Sequence, residues 1–351
     1  MEIKAYGPSH LTSYLIKLNN HFIMLDFNCE GISNNDLSMI DYIFVTHEHL
    51  DHIESLLDYE IINQLNPNVR LFSTKTTKEL IEYIVEEKIV YKQYNKNVAN
   101  KIRNIIQSIE IVYFNEDNIL EDGVKFRLYR SGHTFGSSMV YLMGDYTILY
   151  TGDIDYVKRD ANRRYVIPYG YNINVDYLIV DGTRLFNDDY KGVSINQIIK
   201  FINERKNKTL QFYYKVRPEK AVLYALSIAD KLDDFLILYD SSLKWYLKPI
   251  MENGYDPFVT GKVIYADPSL NSHPNEKSIT FISDTKPINA YVLNQKLSLH
   301  ITKNDLIDMI ESHFENYPKI LIGHYNPSDE GKEIDGFQKY QFLKRGVNEV
   351  D

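Results

Sequence analysis

The sequence predicts a layered α/β protein carrying a second, smaller α/β module. Three observations support this. Short apolar runs alternate with helical patterns along most of the chain. Several of those runs end in a histidine or aspartate with glycine or threonine beside it. Between about residues 194 and 286 a strand–helix–strand–helix succession forms a unit of its own. A length of 351 residues is too great for one simple core and suits a large domain with an insertion, or two domains.

The first elements are strands. Residues 3–6 and 13–18 alternate apolar and polar, Asn19-Asn20 supplies a hairpin turn, and 21–26 returns, ending at Asp26. The run 42–45 reads as a buried strand and leads into Thr46-His47-Glu48-His49-Leu50-Asp51-His52. A helix is expected over 53–65, with apolar residues at Ile53, Leu56, Leu57, Ile61 and Leu65. Imidazoles and carboxylates packed into a strand-to-helix turn suit zinc or a similar first-row ion, in an open, reactive site rather than a closed structural one. Next come a strand at 70–73, helices over 76–87 and about 98–108, and strands at 109–114 and 124–129. The last of these runs into Ser131-Gly132-His133, where glycine lets the backbone bend toward a ligand. Strands 139–143 and 146–150 form a hairpin that delivers Asp153, and strand 177–180 delivers Asp181. In the 194–286 module, helices are expected over 195–204 and 218–232, strands at 209–214 and 235–239, and a further helix around Trp245. The apolar pattern resumes at 290–293, a helix follows over 304–314, and a strand at 319–324 ends in His324. Polar linkers are expected at 187–192 and 267–277.

Composition narrows the classes. The formal charge of −9 argues against a broad basic surface for nucleic acid, though not against a local basic groove. A single cysteine, Cys29, excludes an internal disulfide framework and fits a reducing cytoplasm. No apolar run has the length of a membrane span, and the amino terminus lacks a signal-peptide pattern.

With these residues in order, the chain resembles the metallo-β-lactamase superfamily, and within it the β-CASP nucleases such as ribonuclease J and the cleavage-and-polyadenylation endonuclease. The motifs are the strand-end Asp26, the cluster His47-x-His49-x-Asp51-His52, then His133, Asp153, Asp181, His300 in Ser-Leu-His-Ile-Thr, and His324. Weaker likenesses lie at Val216-Arg217-Pro218-Glu219-Lys220-Ala221 and Tyr239-Asp240-Ser241-Ser242. Leu299 and Val216 stand where the family pattern has glycine.

The resemblance implies a four-layered αββα sandwich with a small inserted β-CASP-like α/β cap. Its domains would be residues 1–193 (first part of the core), 194–286 (cap) and 287–351 (return segment of the core). It implies two zinc ions, with manganese as the alternative. His47, His49 and His133 would hold one ion, Asp51, His52 and His324 the other, and Asp153 would bridge. Asp51 would also orient the nucleophile, Asp181 would hold an imidazole in its tautomer, and His300 would protonate the leaving oxygen. Ser298, Thr302, Arg217 and Lys220 are candidate substrate contacts. The implied function is a dinuclear-zinc ribonuclease acting by in-line attack of a metal-bound hydroxide. The partner would be nucleic acid, single-stranded RNA before DNA, with no membrane and with homo-oligomerisation left open. The alternatives are a hydrolase of a small ester, lactone or thioester, and a DNA-directed nuclease of the same fold.

Overall fold

The computed structural model describes residues 1–7, 10–155, 172–186 and 300–350, a few positions between 200 and 252, and the backbone of five strands between 211 and 292. The chain divides into two compact units, Met1–Asp189 with Leu299–Asp351, and Tyr190–Ser298.

The first unit holds two seven-stranded sheets. One comprises β1 (Glu2–Tyr6), β2 (Ser13–Leu18), β3 (His21–Leu25), β4 (Tyr42–Phe44), β5 (Arg70–Ser73) and β6 (Glu110–Ile111), with β19 (Gly346–Glu349) paired outside β1. The other runs β18 (Tyr340–Phe342), β17 (Lys319–Gly323), β11 (Tyr177–Asp181), β10 (Thr147–Tyr150), β9 (Ser138–Met143), β8 (Lys125–Arg130) and β7 (Asn118–Ile119). Successive side chains of a strand point to opposite faces, and here both faces are buried. Ile16, Leu25, Phe44 and Phe72 of the first sheet meet Phe126, Leu128, Val140 and Leu321 of the second in one cluster between the sheets. Leu15, Met24, Ile43 and Leu71 face the other way, onto Ile81 and Val85 of α4 (Lys75–Tyr91) and Ile102 and Ile106 of α5 (Lys96–Gln107). Leu178, Val180, Ile320 and Ile322 pack on Leu306, Met309 and Ile310 of α6 (Lys303–His313). The layers are therefore helix, sheet, sheet, helix.

Within each sheet the site-bearing strands run the same way. β3 is parallel to β4, β10 to β11, and β11 to β17. Their carboxyl ends consequently share one edge, the usual position of an active site on α/β sheets. The sheets are tied together there, because Ser138 at the start of β9 donates its N–H to the Thr46 carbonyl at 2.9 Å.

Local structure departs from the sequence reading in several places. The helix expected over 53–65 is three pieces: α2 (Leu50–Ile53), a 3-10 turn (Glu54–Leu57) and α3 (Tyr59–Gln64). Asp58 causes the break, since its carboxylate accepts from the N–H groups of Glu60 and Ile61 and starts a new helix. The strand expected over 109–114 crosses between the sheets. Val112 N–H donates to Ser73 of the first, and Phe114 bridges to Leu128 of the second. The helix α1 (Asn34–Met39) and strands β18 and β19 went unread, being too short to show a period.

In the second unit, all described strands are parallel, in the order β14 (Val263–Tyr265), β13 (Leu236–Tyr239), β15 (Ser278–Ile282), β12 (Gln211–Lys215), β16 (Tyr291–Val292). The sequence reading counts residues 287–351 with the core, whereas Tyr291 and Val292 pair with Phe212 and Tyr213 in this sheet. Two paired residues are too short a pattern to reveal their partner. The expected helices over 195–204 and 218–232, Trp245 and both linkers lie outside the described residues or nearly so. Among the described residues, no helix is long and apolar enough to cross a membrane.

Candidate metal centre

Six strand ends deliver the site. Asp26 follows β3 in a left-handed conformation (φ 57°) that turns its carboxylate back under the histidine cluster. Its Oδ1 accepts Thr46 N–H at 2.7 Å. Its Oδ2 accepts the Thr46 hydroxyl at 2.8 Å, the Tyr150 hydroxyl at 2.7 Å and His52 Nδ1–H at 2.7 Å. Asp26 is fully buried, and these donors satisfy it. The bond from His52 fixes its proton on Nδ1 and leaves Nε2 facing the site.

After β4, Thr46 places its hydroxyl 3.0 Å from His47 Nδ1. His49 Nδ1 lies 3.2 Å from Nε2 of His133, which is carried on the loop after β8 where Gly132 and Gly136 take positive φ. Behind them Thr134 donates its hydroxyl to Glu48 at 3.0 Å, joining the two loops. After β10, Gly152 adopts φ 54° with its backbone against Thr46, so close that a Cβ would stand 2.7 Å from the Thr46 hydroxyl oxygen.

Gly152 thereby presents Asp153 at the centre. Asp153 Oδ1 lies 2.6 Å from His324 Nδ1 and 3.2 Å from His52 Nε2. Asp153 Oδ2 lies 3.3 Å from His133 Nε2 and 3.7 Å from His47 Nε2. Asp51 completes the far side, its Oδ2 3.7 Å from His324 Nε2 and 4.0 Å from His52 Nε2. Asp181, at the end of β11, accepts from His300 Nδ1–H at 2.7 Å. The His300 ring stands 4.8 Å from that of His133.

The ligand atoms fall into overlapping groups, each spanning no more than 4.8 Å: His47, His49, His133 and Asp153; Asp51, His52 and His324; and Asp153, Asp181 and His324. A metal fits this donor set. His47 Nε2 and His52 Nε2 are buried and make no hydrogen bond, an arrangement that is costly unless a cation takes the lone pairs. Imidazole and carboxylate together suit zinc and its first-row neighbours.

Without a cation the charges compensate one another. Burial raises the Asp153 carboxyl, but His324, His52, His133 and His300 together hold it well below its ordinary value. Burial lowers the imidazoles of His324 and His300. Asp153 outweighs it for His324, lifting that group to about 9, and Asp181 followed by Asp153 raises His300. Burial and the neighbouring imidazoles His52 and His49 push His47 well below its ordinary value.

The structure thus brings His47, His49, Asp51, His52, His133, Asp153, Asp181, His300 and His324 to one place. It gives Thr302 different work: the hydroxyl caps α6, accepting from Asp305 N–H. Arg217, Lys220 and Ser298 lie outside the described residues. Sequence reasoning passed over Thr12, Tyr14, Thr46 and Tyr150. Their hydroxyls bind groups distant along the chain, and a hydroxyl inside an apolar run carries no periodic signal.

The chain is similar to the RNase J-like protein of Methanocaldococcus jannaschii, 26% identical over 67% of this chain and 58% of that protein. It is also similar to Endoribonuclease YSH1 of Mycosarcoma maydis, 25% identical over 65% of this chain and 29% of that one. Cleavage and polyadenylation specificity factor subunit 3-I of Arabidopsis thaliana is 31% identical over 42% of this chain and 21% of its own. The matches span less than two thirds of these relatives' lengths. A crystal structure of a protein of unknown function from Enterococcus faecalis shares the fold, with a TM-score of 0.60 at 14% identity over 99% of both chains. The model of the metallo-beta-lactamase superfamily matches residues 12–203, more than half the chain and the stretch that carries every site residue except His300 and His324, and this protein belongs to the superfamily.

Proposed function

We propose that this chain is a metal-dependent phosphodiesterase that cuts RNA, a ribonuclease of the β-CASP type. The observation that carries the reading is the division of Asp153: one oxygen faces His52 and His324, the other His47 and His133. A carboxylate divided in this way suits a bridge between two cations. His47, His49 and His133 would hold one, and Asp51, His52 and His324 the other, with zinc the first choice and manganese the second. When bound, such a pair activates water near neutral pH and neutralises charge on the attacked phosphate.

The chain's own groups complete the chemistry. Asp51 is the exposed member of the set, its side chain 44% accessible, and so faces an arriving substrate and can orient the attacking water. His300 keeps Nδ1–H on Asp181, and the raised affinity of its ring for a proton equips Nε2 to protonate the departing ribose oxygen. Under this reading the parallel-stranded unit 190–298 is a β-CASP-like cap, in which Arg217, Lys220 and Ser298 would meet the RNA backbone. The names of the relatives, RNase J-like protein and Endoribonuclease YSH1, favour RNA over a small ester.

The test is cleavage of end-labelled single-stranded RNA and DNA, with and without a 5′-phosphate. Native protein should cut RNA. His133→Ala and Asp153→Ala should lose cutting by at least a thousandfold while unfolding cooperatively. Undiminished cutting in both variants would reject the site, and cleavage of a lactone or thioester in place of RNA would reject the substrate.

A further inference from the structure

Residues 10–14 belong to none of the metal-binding motifs, yet they grip both ends of the second ligand group. His324 is a non-glycine residue at φ 45°, a conformation that persists only when its surroundings hold it. Its N–H is shared between the Leu11 carbonyl at 3.0 Å and the Tyr14 hydroxyl at 3.1 Å. Tyr14 in turn donates to Leu11 at 2.5 Å. The tyrosine sits directly on the backbone before the histidine, because a Cβ at Gly323 would fall 1.9 Å from its hydroxyl oxygen. Thr12, fully buried, donates its hydroxyl to the Asp51 carbonyl at 2.5 Å. One short segment therefore spans Asp51 and His324 like a bracket, joining residues as far as 310 positions apart in sequence. His47, in the other group, is held instead by Thr46 from its own strand end.

We propose that Thr12 and Tyr14 are positioning residues that set the affinity of the cation held by Asp51, His52 and His324, and leave the cation at His47, His49 and His133 to load independently. The inference rests on the two-cation reading above. Neither side chain would touch a cation. Each fixes the backbone from which a ligand projects, and loss of such a support typically weakens metal binding 10–100-fold.

The experiment titrates the cation-free full chain with Zn²⁺ by calorimetry, backed by chelator competition, for native protein, Thr12→Val and Tyr14→Phe. Both substitutions keep shape and remove only the hydroxyl's hydrogen bonds. Each variant is expected to weaken one binding step about tenfold and to change the other by less than twofold. Equal weakening of both steps, or of neither, in a native chain that binds two ions would overturn the inference and leave the two-cation site standing. Uptake of a single ion by native protein would overturn both. Should Tyr14→Phe fail to fold, Thr12→Val decides alone.

Discussion

Asp26→Asn replaces the buried carboxylate under the histidine cluster with a group of the same shape. The native Oδ2 receives three donors, from Thr46, Tyr150 and His52, all at 2.7–2.8 Å. With the amide –NH₂ in that position, donors face donors. Turning the amide over saves Oδ2 but sets the –NH₂ against Thr46 N–H, now 2.7 Å from Oδ1. One hydroxyl has an alternative: Tyr150 can turn to the Thr12 carbonyl at 3.1 Å, whereas Thr46 cannot turn to His47, whose Nδ1 carries the proton when Nε2 offers its lone pair. With the amide unturned, His52 Nδ1–H has no such alternative among the contacts described, and its charge-assisted bond is lost, at about 1.5–3 kcal/mol. A buried –NH₂ pressed against other donors adds about 1–3 kcal/mol. The expected loss is therefore about 2.5–6 kcal/mol, a large share of the roughly 5–15 kcal/mol that holds a domain folded. Urea unfolding of the cation-free protein measures it as a lower midpoint at unchanged slope. The same variant should bind zinc 10–100-fold more weakly, because His52 loses the partner that fixes its tautomer. A stability loss below about 1 kcal/mol with native zinc affinity would refute the view that Asp26 organises the centre.

Stability of the cation-free chain should fall as pH rises from about 6.5 to 9. His324 binds its proton more tightly in the folded state (about 9) than at its ordinary 6.5, so its contribution is whole below 6.5 and is lost through 9. His52 and His300, also raised, act in the same direction, whereas His47 is lowered and counts against folding only below 6.5. Urea midpoints rising between pH 6.5 and 9 would contradict this assignment. Gly152→Ala should cost about 2–4 kcal/mol in the same assay, since φ 54° disfavours alanine and the new Cβ would press on Thr46 at 2.7 Å. Arg70→Ala is the contrasting case. Its paired bonds to Glu110 are short (2.7 and 2.8 Å), but the side chains are 40% and 44% exposed, so the loss should stay under about 1 kcal/mol.

Much of the centre was legible because metal chemistry writes itself locally. His47, His49, Asp51 and His52 stand within six positions, and no other common demand on a loop calls for that mixture. The strands ending in Asp153, Asp181 and His324 were legible for a related reason, because a polar residue closing an apolar run is conspicuous. Where capping chemistry intervened, periodicity misled. Asp58 divided a helix that the apolar pattern of 53–65 made look continuous.

By itself, then, the sequence determined which donors this protein owns and the order in which strands deliver them. It also marked the strands, since an apolar run such as 42–45 or 177–180 is a local property, while the four-layered sandwich was implied by the family resemblance. Tertiary structure alone decided that Asp153 divides its oxygens between two groups of ligands, and that Thr12, Tyr14, Thr46 and Tyr150 hold those groups in place. These hydrogen bonds join residues 20 to 310 positions apart and depend on how separate strands and loops meet, which no spacing along the chain encodes.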